Sequence, residues 1–224
     1  MASAAELQSK LLTDFVPDLP VLAAFAAASV VLGLTPGPDM TLFLSKTVAQ
    51  SRAAGLAAFA GATTGVIVHS ILVAAWLSVL LAASVVAFTA LKVVGALYLV
   101  YLAVDALRHG SSLNLDRKAA PESIRSVYVK GLLIDLLNPK VIIFFVTFLP
   151  QFVSPSDPHE AKKMLFLGLI FVMVNVPVCV LLILSAERIA SVLKRSPRAT
   201  RIVDWLFASV LGGFALKLAL WQAR

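Results

Sequence analysis

The chain has 224 residues, of which 60% are hydrophobic and only 14% charged, and its mean hydropathy is +0.94. Soluble domains contain about 45–50% apolar and about 25% charged residues, so this composition excludes a soluble globular protein. The net charge of +7 does not indicate a nucleic-acid partner, because the basic residues lie between apolar blocks and form no basic and aromatic surface module.

The N-terminal 18 residues are less apolar than the rest of the chain. Apolar residues recur there every four positions, each preceded by a charged residue; they are Leu7, Leu11, Phe15 and Leu19. This spacing places an apolar and a polar stripe on one helix. It predicts a short amphipathic segment over residues 1–18 that lies at the membrane surface.

Six apolar blocks follow, and each approaches the roughly 20 residues that a transmembrane helix needs. They predict an all-α integral membrane protein with spans at residues 19–46, 56–79, 87–107, 127–149, 163–186 and 203–222. The polar stretch 109–126 is the expected linker between a first three-span repeat, 19–108, and a second, 127–222.

Two of the predicted spans are interrupted by proline. "LTPGPDMTLF" at 34–43 matches "DLLNPKVIIF" at 135–144 with a constant offset of 101, which aligns Pro38 with Pro139 and Asp39 with Lys140. Each break lies in the first span of its half. Because each half has an odd number of spans, the halves enter the membrane in opposite senses, and matching breaks in inverted repeats indicate a transporter's binding site.

The breaks are expected to expose helix ends inside the protein. Proline removes a backbone N–H, and irregular backbone at membrane depth is tolerated where it is packed in protein or lines a wet cavity. Asn138 is a good N-cap for the half-helix at Pro139, and Thr35 is a weaker candidate for the one at Pro38. Such helix ends suit a carboxylate. A purely structural kink at each break is the simpler alternative to a binding site.

The predicted substrate-binding residues are Thr35, Pro36, Gly37, Pro38, Asp39, His69, Asn138, Pro139 and Lys140.

Ionisable residues within spans are functional candidates by default, because their burial is costly. Asp39 and Lys140 directly follow the two breaks, and either a mutual ion pair or a role in substrate or proton handling fits that position. His69 is a core histidine or a proton carrier, and Asp135 precedes the second break by one turn. The proton-coupling candidates are therefore Asp39, His69 and Asp135.

Other chemistry lacks its usual sequence patterns. Three histidines and one cysteine without ligand spacing argue against a metal site. No Ser/His/Asp spacing supports hydrolysis, and no glycine-rich phosphate loop indicates ATP use. We therefore expect neither an enzyme nor a cofactor.

The blocks "LTPGPDM", "LKVVGALYLVYLAVDALR" (91–108) and "GLLIDLLNPKVIIFFVTFLPQFV" (131–153) resemble the LysE/RhtB family of bacterial amino-acid exporters. The resemblance runs from about Val21 to Leu220 and implies efflux of amino acids or close derivatives from the cytoplasm, driven by the proton gradient. The family's GxxxH pattern matches Gly65 and His69. Many members carry an acidic residue after that glycine, where this chain has Val66, which argues against a proton or cation role at this position.

The leading hypothesis is thus a secondary amino-acid exporter of the bacterial inner membrane that works by alternating access. Its partners would be a small-molecule substrate and the lipid bilayer, without nucleic acid; a homo-oligomer is also compatible with it. An exporter of a metal ion or another small solute is the alternative within transport. A membrane scaffold without flux is the alternative outside it.

The basic residues predict the topology. Twelve Lys and Arg fall in the first, third and fifth connections and four on the other side, while Lys92, Lys140 and Lys217 lie within or at the ends of spans. By the positive-inside rule, the odd connections are cytoplasmic and both termini periplasmic. A reporter fused after Arg224 should be periplasmic and one inserted after Ser112 cytoplasmic. A cytoplasmic C-terminus would contradict the six-span arrangement.

Overall fold

The computed structural model describes residues 15–35, 37–83, 121–154 and 157–188, with single positions between 90 and 104 and between 201 and 213. None of these residues lies in a β-strand. The helices are α1 (Leu19–Leu34), α2 (Pro38–Ala49), α3 (Arg52–Ala83), α4 (Ile124–Leu136), α5 (Pro139–Ile143) and α6 (Glu160–Leu184). A π-helical turn, Phe144–Phe148, and a 3-10 turn, Leu149–Phe152, continue α5.

The first break separates α1 from α2. Thr35 ends α1, and its hydroxyl donates a hydrogen bond to the Val31 carbonyl at 2.6 Å. The residue at the N-cap of α2 is Gly37, with Pro38 at the first helical position. The expectation that Thr35 caps the half-helix that begins at Pro38 was therefore wrong, because its side chain bonds back to α1, the helix that it ends. The two helices meet at a bend of 56°.

The second break separates α4 from α5 and has a side-chain cap. Asn138 Oδ1 accepts a hydrogen bond from the Lys140 N–H at 3.0 Å, and Pro139 occupies the first turn. Here the N-cap prediction is confirmed, since asparagine is among the best acceptors at that position. The bend between α4 and the segment Pro139–Phe152 is 49°.

The described part of the chain contains two candidate membrane spans, or four if each bent pair of helices is one span. Arg52–Trp76 and Glu160–Leu184 are each long and apolar enough to span a bilayer, and each bent pair passes the same test when taken together. They correspond to the first, second, fourth and fifth predicted spans. Most of the third and sixth predicted spans lies outside the described residues, as do residues 1–14 of the amphipathic segment; residues 15–18 are not helical.

Close contact between α3 and α4 depends on two glycines. A Cβ at Gly61 would collide with the Tyr128 carbonyl oxygen, and one at Gly131 would collide with the carbonyl oxygen of Ala58. Small residues let membrane helices approach until their backbones touch. This approach brings the second predicted span against the first half of the fourth.

Apolar side chains form two clusters on either side of the breaks. One includes Phe25, Phe144 and Phe148, and the other includes Phe43 and Leu44. The second cluster also contains Val127 of α4 and Ile183 of α6, so the end of α2, the start of α4 and the end of α6 lie together. These are the ends next to the basic first, third and fifth connections.

Glu122 ties the end of α2 to the start of α4. Its carboxylate accepts Lys46 Nζ at 2.6 Å and Lys130 Nζ at 2.5 Å. Its backbone exchanges two hydrogen bonds with the Gln50 side-chain amide. Lys130, and after it Lys46, hold the pKa of the Glu122 carboxyl at about 2. This contact joins the first and fourth predicted spans at one membrane face.

Replacement of Glu122 tests this contact. Exposed ion pairs contribute about 0.2–1 kcal/mol each, so Glu122→Gln should lower the melting temperature in detergent by a few degrees. Because folding lowers the pKa of Glu122 from its ordinary value of 4.5, its contribution is complete above that value and is lost as pH falls toward about 2. The melting difference from wild type should hold from about pH 5.5 to about pH 8. Glu187→Gln, at an exposed position, is the matched control. An equal drop in melting temperature in both variants would contradict a stabilising role for the Glu122 contact.

Candidate functional site

A cavity lies between the two helix breaks. It has an empty volume of about 570 Å³, part of which is open to the surroundings, and α1, α2, α3, α4, α5 and α6 all line it. Phe43, Phe59, Val66 and Phe171 supply part of its apolar wall. Its polar side chains include Asp39, Asp135, Lys140 and Asn175. A predominantly apolar pocket with a few convergent polar groups is the usual form of a small-molecule site.

Side chains of the second break donate hydrogen bonds to polar groups of the first break. Asn138 Nδ2 donates to Asp39 Oδ2 at 2.7 Å. Lys140 Nζ donates to the Thr35 carbonyl at 3.0 Å and to the Leu32 carbonyl at 3.5 Å. These carbonyls belong to the end of α1; the Leu32 carbonyl also accepts the Thr35 N–H at 3.1 Å, and the Thr35 carbonyl lies at the helix end, where the regular backbone donors of the helix stop. The two breaks therefore form one hydrogen-bonded unit, although about a hundred residues separate them in the chain.

Asp39 and Lys140 line the same cavity but form no direct ion pair. The Lys140 amine is held by backbone carbonyls, and the Asp39 carboxylate is held by the Asn138 amide. Direct pairing was one of the two interpretations of the sequence. It fails because each charged group has a nearer partner at the break itself.

Asp135 contributes a second carboxyl group to the cavity. The residue is 2% exposed, and its side chain lies against the backbone of α3 at Gly65, where a Cβ would collide with it. Within the described part of the chain, no donor lies within hydrogen-bond distance of Asp135 Oδ2 or of Asp39 Oδ1. Two residues of the cavity wall thus carry a buried carboxylate oxygen without a donor in the described part of the chain.

His69 lies behind Asp135 and not on the cavity wall. Its Nε2 is 3.3 Å from the Asp135 carbonyl oxygen and 3.9 Å from Asp135 Oδ2. Its ring stacks on Phe145, with 6.1 Å between centroids. His69 is therefore linked to the cavity wall through Asp135.

Of the other residues named from the sequence, Gly37 lies against the Lys140 amine. A Cβ at Gly37 would lie 2.9 Å from Lys140 Nζ, so glycine leaves room for the amine. Pro38 and Pro139 each start a half-helix, and neither lines the cavity. Pro36 lies outside the described residues.

Asn175 of α6 also lines the cavity, although the sequence analysis did not single it out. Its amide donates to the Phe171 carbonyl at 2.9 Å. Its Oδ1 faces the end of α1 and has no donor among the described residues. The sequence signal was an amide in an otherwise apolar span, where a polar group is costly unless it is paired.

Metal ligation has little support in the described residues, which contain no group of three His, Cys, Asp or Glu side chains placed to hold an ion. Cys179 lies on the cavity wall and is free.

The apolar, bent helices and the buried ionisable side chains of the cavity define an integral, multi-pass membrane protein. The model of the LysE type translocator family matches residues 30–222, and the chain belongs to this family. The family resemblance drawn from the two breaks is thereby confirmed.

Several relatives match over most of their length. A homoserine/homoserine lactone efflux protein of Salmonella typhimurium is 29% identical over 84% of this chain and 90% of its own. An uncharacterized membrane protein of Vibrio cholerae is 31% identical over 90% of this chain and 98% of its own. A leucine efflux protein of Salmonella typhimurium is 26% identical over 89% of this chain and 94% of its own. No solved structure matches the chain.

Asn138 is the residue on which to test the contact between the breaks. Asn138→Ala removes both the helix cap and the bond to Asp39, so we expect a loss of about 2–4 kcal/mol of stability in detergent and no export. Asn138→Ser keeps a capping oxygen and should recover much of the stability while export stays low. Ser123→Ala, which removes the cap of α4, is the matched control and should cost about 1 kcal/mol with export unchanged. Normal export by Asn138→Ala would contradict the role of this contact.

Proposed function

We propose that the protein is a secondary transporter that exports an amino acid, or a close derivative, from the cytoplasm in exchange for protons. The observation that carries the proposal is the cavity at the paired breaks, with its two carboxyl groups and one amine. Membership of the LysE type translocator family supports it. So do the names of two relatives, a leucine efflux protein and a homoserine/homoserine lactone efflux protein.

The charge balance of the cavity supports an exchange mechanism. Asp39 and Asp135 together carry one more charge than Lys140 can neutralise. An uncompensated buried charge is expensive, so either a proton or a cationic group of the substrate should fill the deficit. If the two alternate, the arrival of substrate releases a proton, and its departure allows one to bind. This is the coupling that a proton-driven exporter needs.

The two ends of an amino acid fit different parts of this cavity. Its ammonium group would bind the free oxygens of Asp39 and Asp135. Its carboxylate would approach the Lys140 amine, which is already held beside the break by Thr35 and Leu32. The side chain would contact the apolar wall. Backbone at the breaks, Thr35 to Pro38 and Asn138 to Pro139, would bind substrate or position the groups that do.

His69 would serve the proton side of the cycle through Asp135. A neutral imidazole accepts a proton near physiological pH, and His69 contacts both the carbonyl and the carboxyl group of Asp135. Asp135 also lies against Gly65, the residue before Val66. It thus supplies a carboxyl group next to the position where many family members carry an acidic residue.

Alternating access would move two inverted three-span repeats, 19–108 and 127–222, about this site in the inner membrane. The hydrogen bonds between the two breaks support this arrangement, because in inverted repeats the first span of each half meets the other at the pseudo-twofold axis. Contact between the ends next to the basic connections supports a cytoplasmic location for that face. Both termini would then be periplasmic.

Transport into inside-out vesicles tests the proposal. With an acidic lumen, vesicles that contain the protein should accumulate L-leucine or L-homoserine, and an uncoupler should abolish the accumulation. Absence of accumulation across a panel of amino acids would contradict amino-acid export. Accumulation that survives the uncoupler would contradict proton coupling. Uptake of a divalent metal ion alone would favour the metal exporter, and no flux of any solute would favour a scaffold.

Substitution of Asp135 in the same assay separates proton coupling from substrate binding. Asp135→Asn should lower gradient-driven accumulation at least about tenfold, because the variant cannot exchange a proton at that site. His69→Ala should lower it less. Asp157→Asn makes the same chemical change in the loop before α6, outside the cavity, and should transport normally. Full accumulation by Asp135→Asn would remove this residue from the mechanism.

A further inference from the structure

We infer that Asn175 is a specificity-determining residue, whose carbonyl oxygen joins Asp39 and Asp135 to form a site for a primary ammonium group. The inference rests on the proposed function and refines it. It predicts that the protein selects substrates with an unmodified amino group and rejects N-methylated ones. Three observations carry it: the orientation of the amide, the space left for it, and the number of free acceptors.

The orientation of the Asn175 amide follows from its partner. Asn175 contacts the backbone carbonyl of Phe171 one turn earlier, at 2.9 Å. A carbonyl can only accept, so the NH₂ end of the amide must face it. The opposite end, Oδ1, is thereby directed away from the Phe171 carbonyl, and it lies against Gly33 of α1. The residue is 5% exposed, and no donor in the described part of the chain reaches this oxygen.

Space for the amide is provided by Gly33. A Cβ at this position would collide with Asn175 Oδ1, and the glycine lies two residues before the break, on the cavity wall. A side chain at residue 33 would displace the amide. The sequence thus places a glycine in α1 opposite the one amide of α6 that lines the cavity.

Three residues of the cavity wall each carry a buried oxygen without a donor among the described residues: Asp39 Oδ1, Asp135 Oδ2 and Asn175 Oδ1. A primary ammonium group carries three N–H donors, which equals the number of these oxygens. Metal binding is a poorer explanation, because only two of the oxygens belong to carboxylates and no cluster of three metal-ligating side chains is present in the described residues. An N-methyl ammonium group has one donor fewer and would leave one oxygen unpaired.

Competition by N-methylated substrate tests the inference in the wild-type protein. The better of L-leucine and L-homoserine in vesicle transport is used as substrate, and its N-methyl form as competitor. One hydrogen bond to a charged group corresponds to roughly tenfold to a hundredfold in affinity, so the N-methyl form should compete at least about tenfold more weakly. Equal competition would overturn the inference while leaving amino-acid export intact. Absence of transport would instead overturn the proposed function.

Variants assign the discrimination to Asn175. Asn175→Leu has similar volume but no acceptor, so it should weaken binding of the parent amino acid about tenfold and leave that of the N-methyl form nearly unchanged. Gly33→Ala should have the same effect by displacing the amide. The double variant should lose no more affinity for the parent amino acid than either single variant, because the two substitutions remove the same contact. Thr147→Val removes a similar bond to the carbonyl one turn earlier, outside the cavity, and should keep full discrimination.

A purely structural Asn175 predicts a different pattern. In that case Asn175→Leu would reduce transport of both forms in parallel with membrane abundance, and the discrimination ratio would stay at the wild-type value. That result would overturn the assignment. If Asn175→Leu does not reach the membrane, Gly33→Ala retains the amide and gives the same comparison; an unchanged ratio in it would equally overturn the assignment.

Discussion

The hydrogen bonds from the second helix break to the first are the interaction on which the rest of the site depends. A broken helix leaves carbonyl groups without partners, and hydrocarbon offers none. In this protein the Lys140 amine supplies donors to the end of α1, and Asn138 fixes the carboxylate that begins α2. Because each break is completed by the other, neither can be described as a local kink. The pairing also brings ionisable groups from two distant segments to one cavity.

Much of this organisation could be predicted from the sequence, because its causes are local. Proline and the following charge mark each break, the offset of 101 relates the breaks to each other, and Asn138 has the chemistry of an N-cap. The partners of Asp39 and Lys140 could not be predicted. Whether an amine contacts a carboxylate or a carbonyl depends on tertiary distances of a few ångströms, which no sequence pattern records. For the same reason Thr35 was assigned to the wrong helix end, and Asn175 was not singled out as a cavity residue.

The glycines show how packing and chemistry are connected in this fold. Gly61 and Gly131 allow α3 and α4 to touch, and Gly65 then leaves space for the Asp135 carboxyl group. Gly33 and Gly37 leave space for Asn175 and Lys140 in the same way. Polar side chains can therefore lie against backbone at membrane depth, where a larger neighbour would exclude them. A bulkier residue at Gly33, Gly37 or Gly65 would displace the ionisable or amide side chain that lies against it.

The central claim is that the cavity between the breaks is the site that substrate occupies. Cys179, the only cysteine in the chain, lies on the wall of this cavity, so it reports on occupancy without any substitution. The most direct measurement is the rate at which a small methanethiosulfonate reagent modifies Cys179 in membranes, with and without a saturating exported amino acid. The account predicts that the exported amino acid slows modification severalfold, at the concentrations that saturate transport, and that an amino acid that is not exported has no effect. Modification of Cys179 at the same rate in the presence of saturating substrate would contradict it.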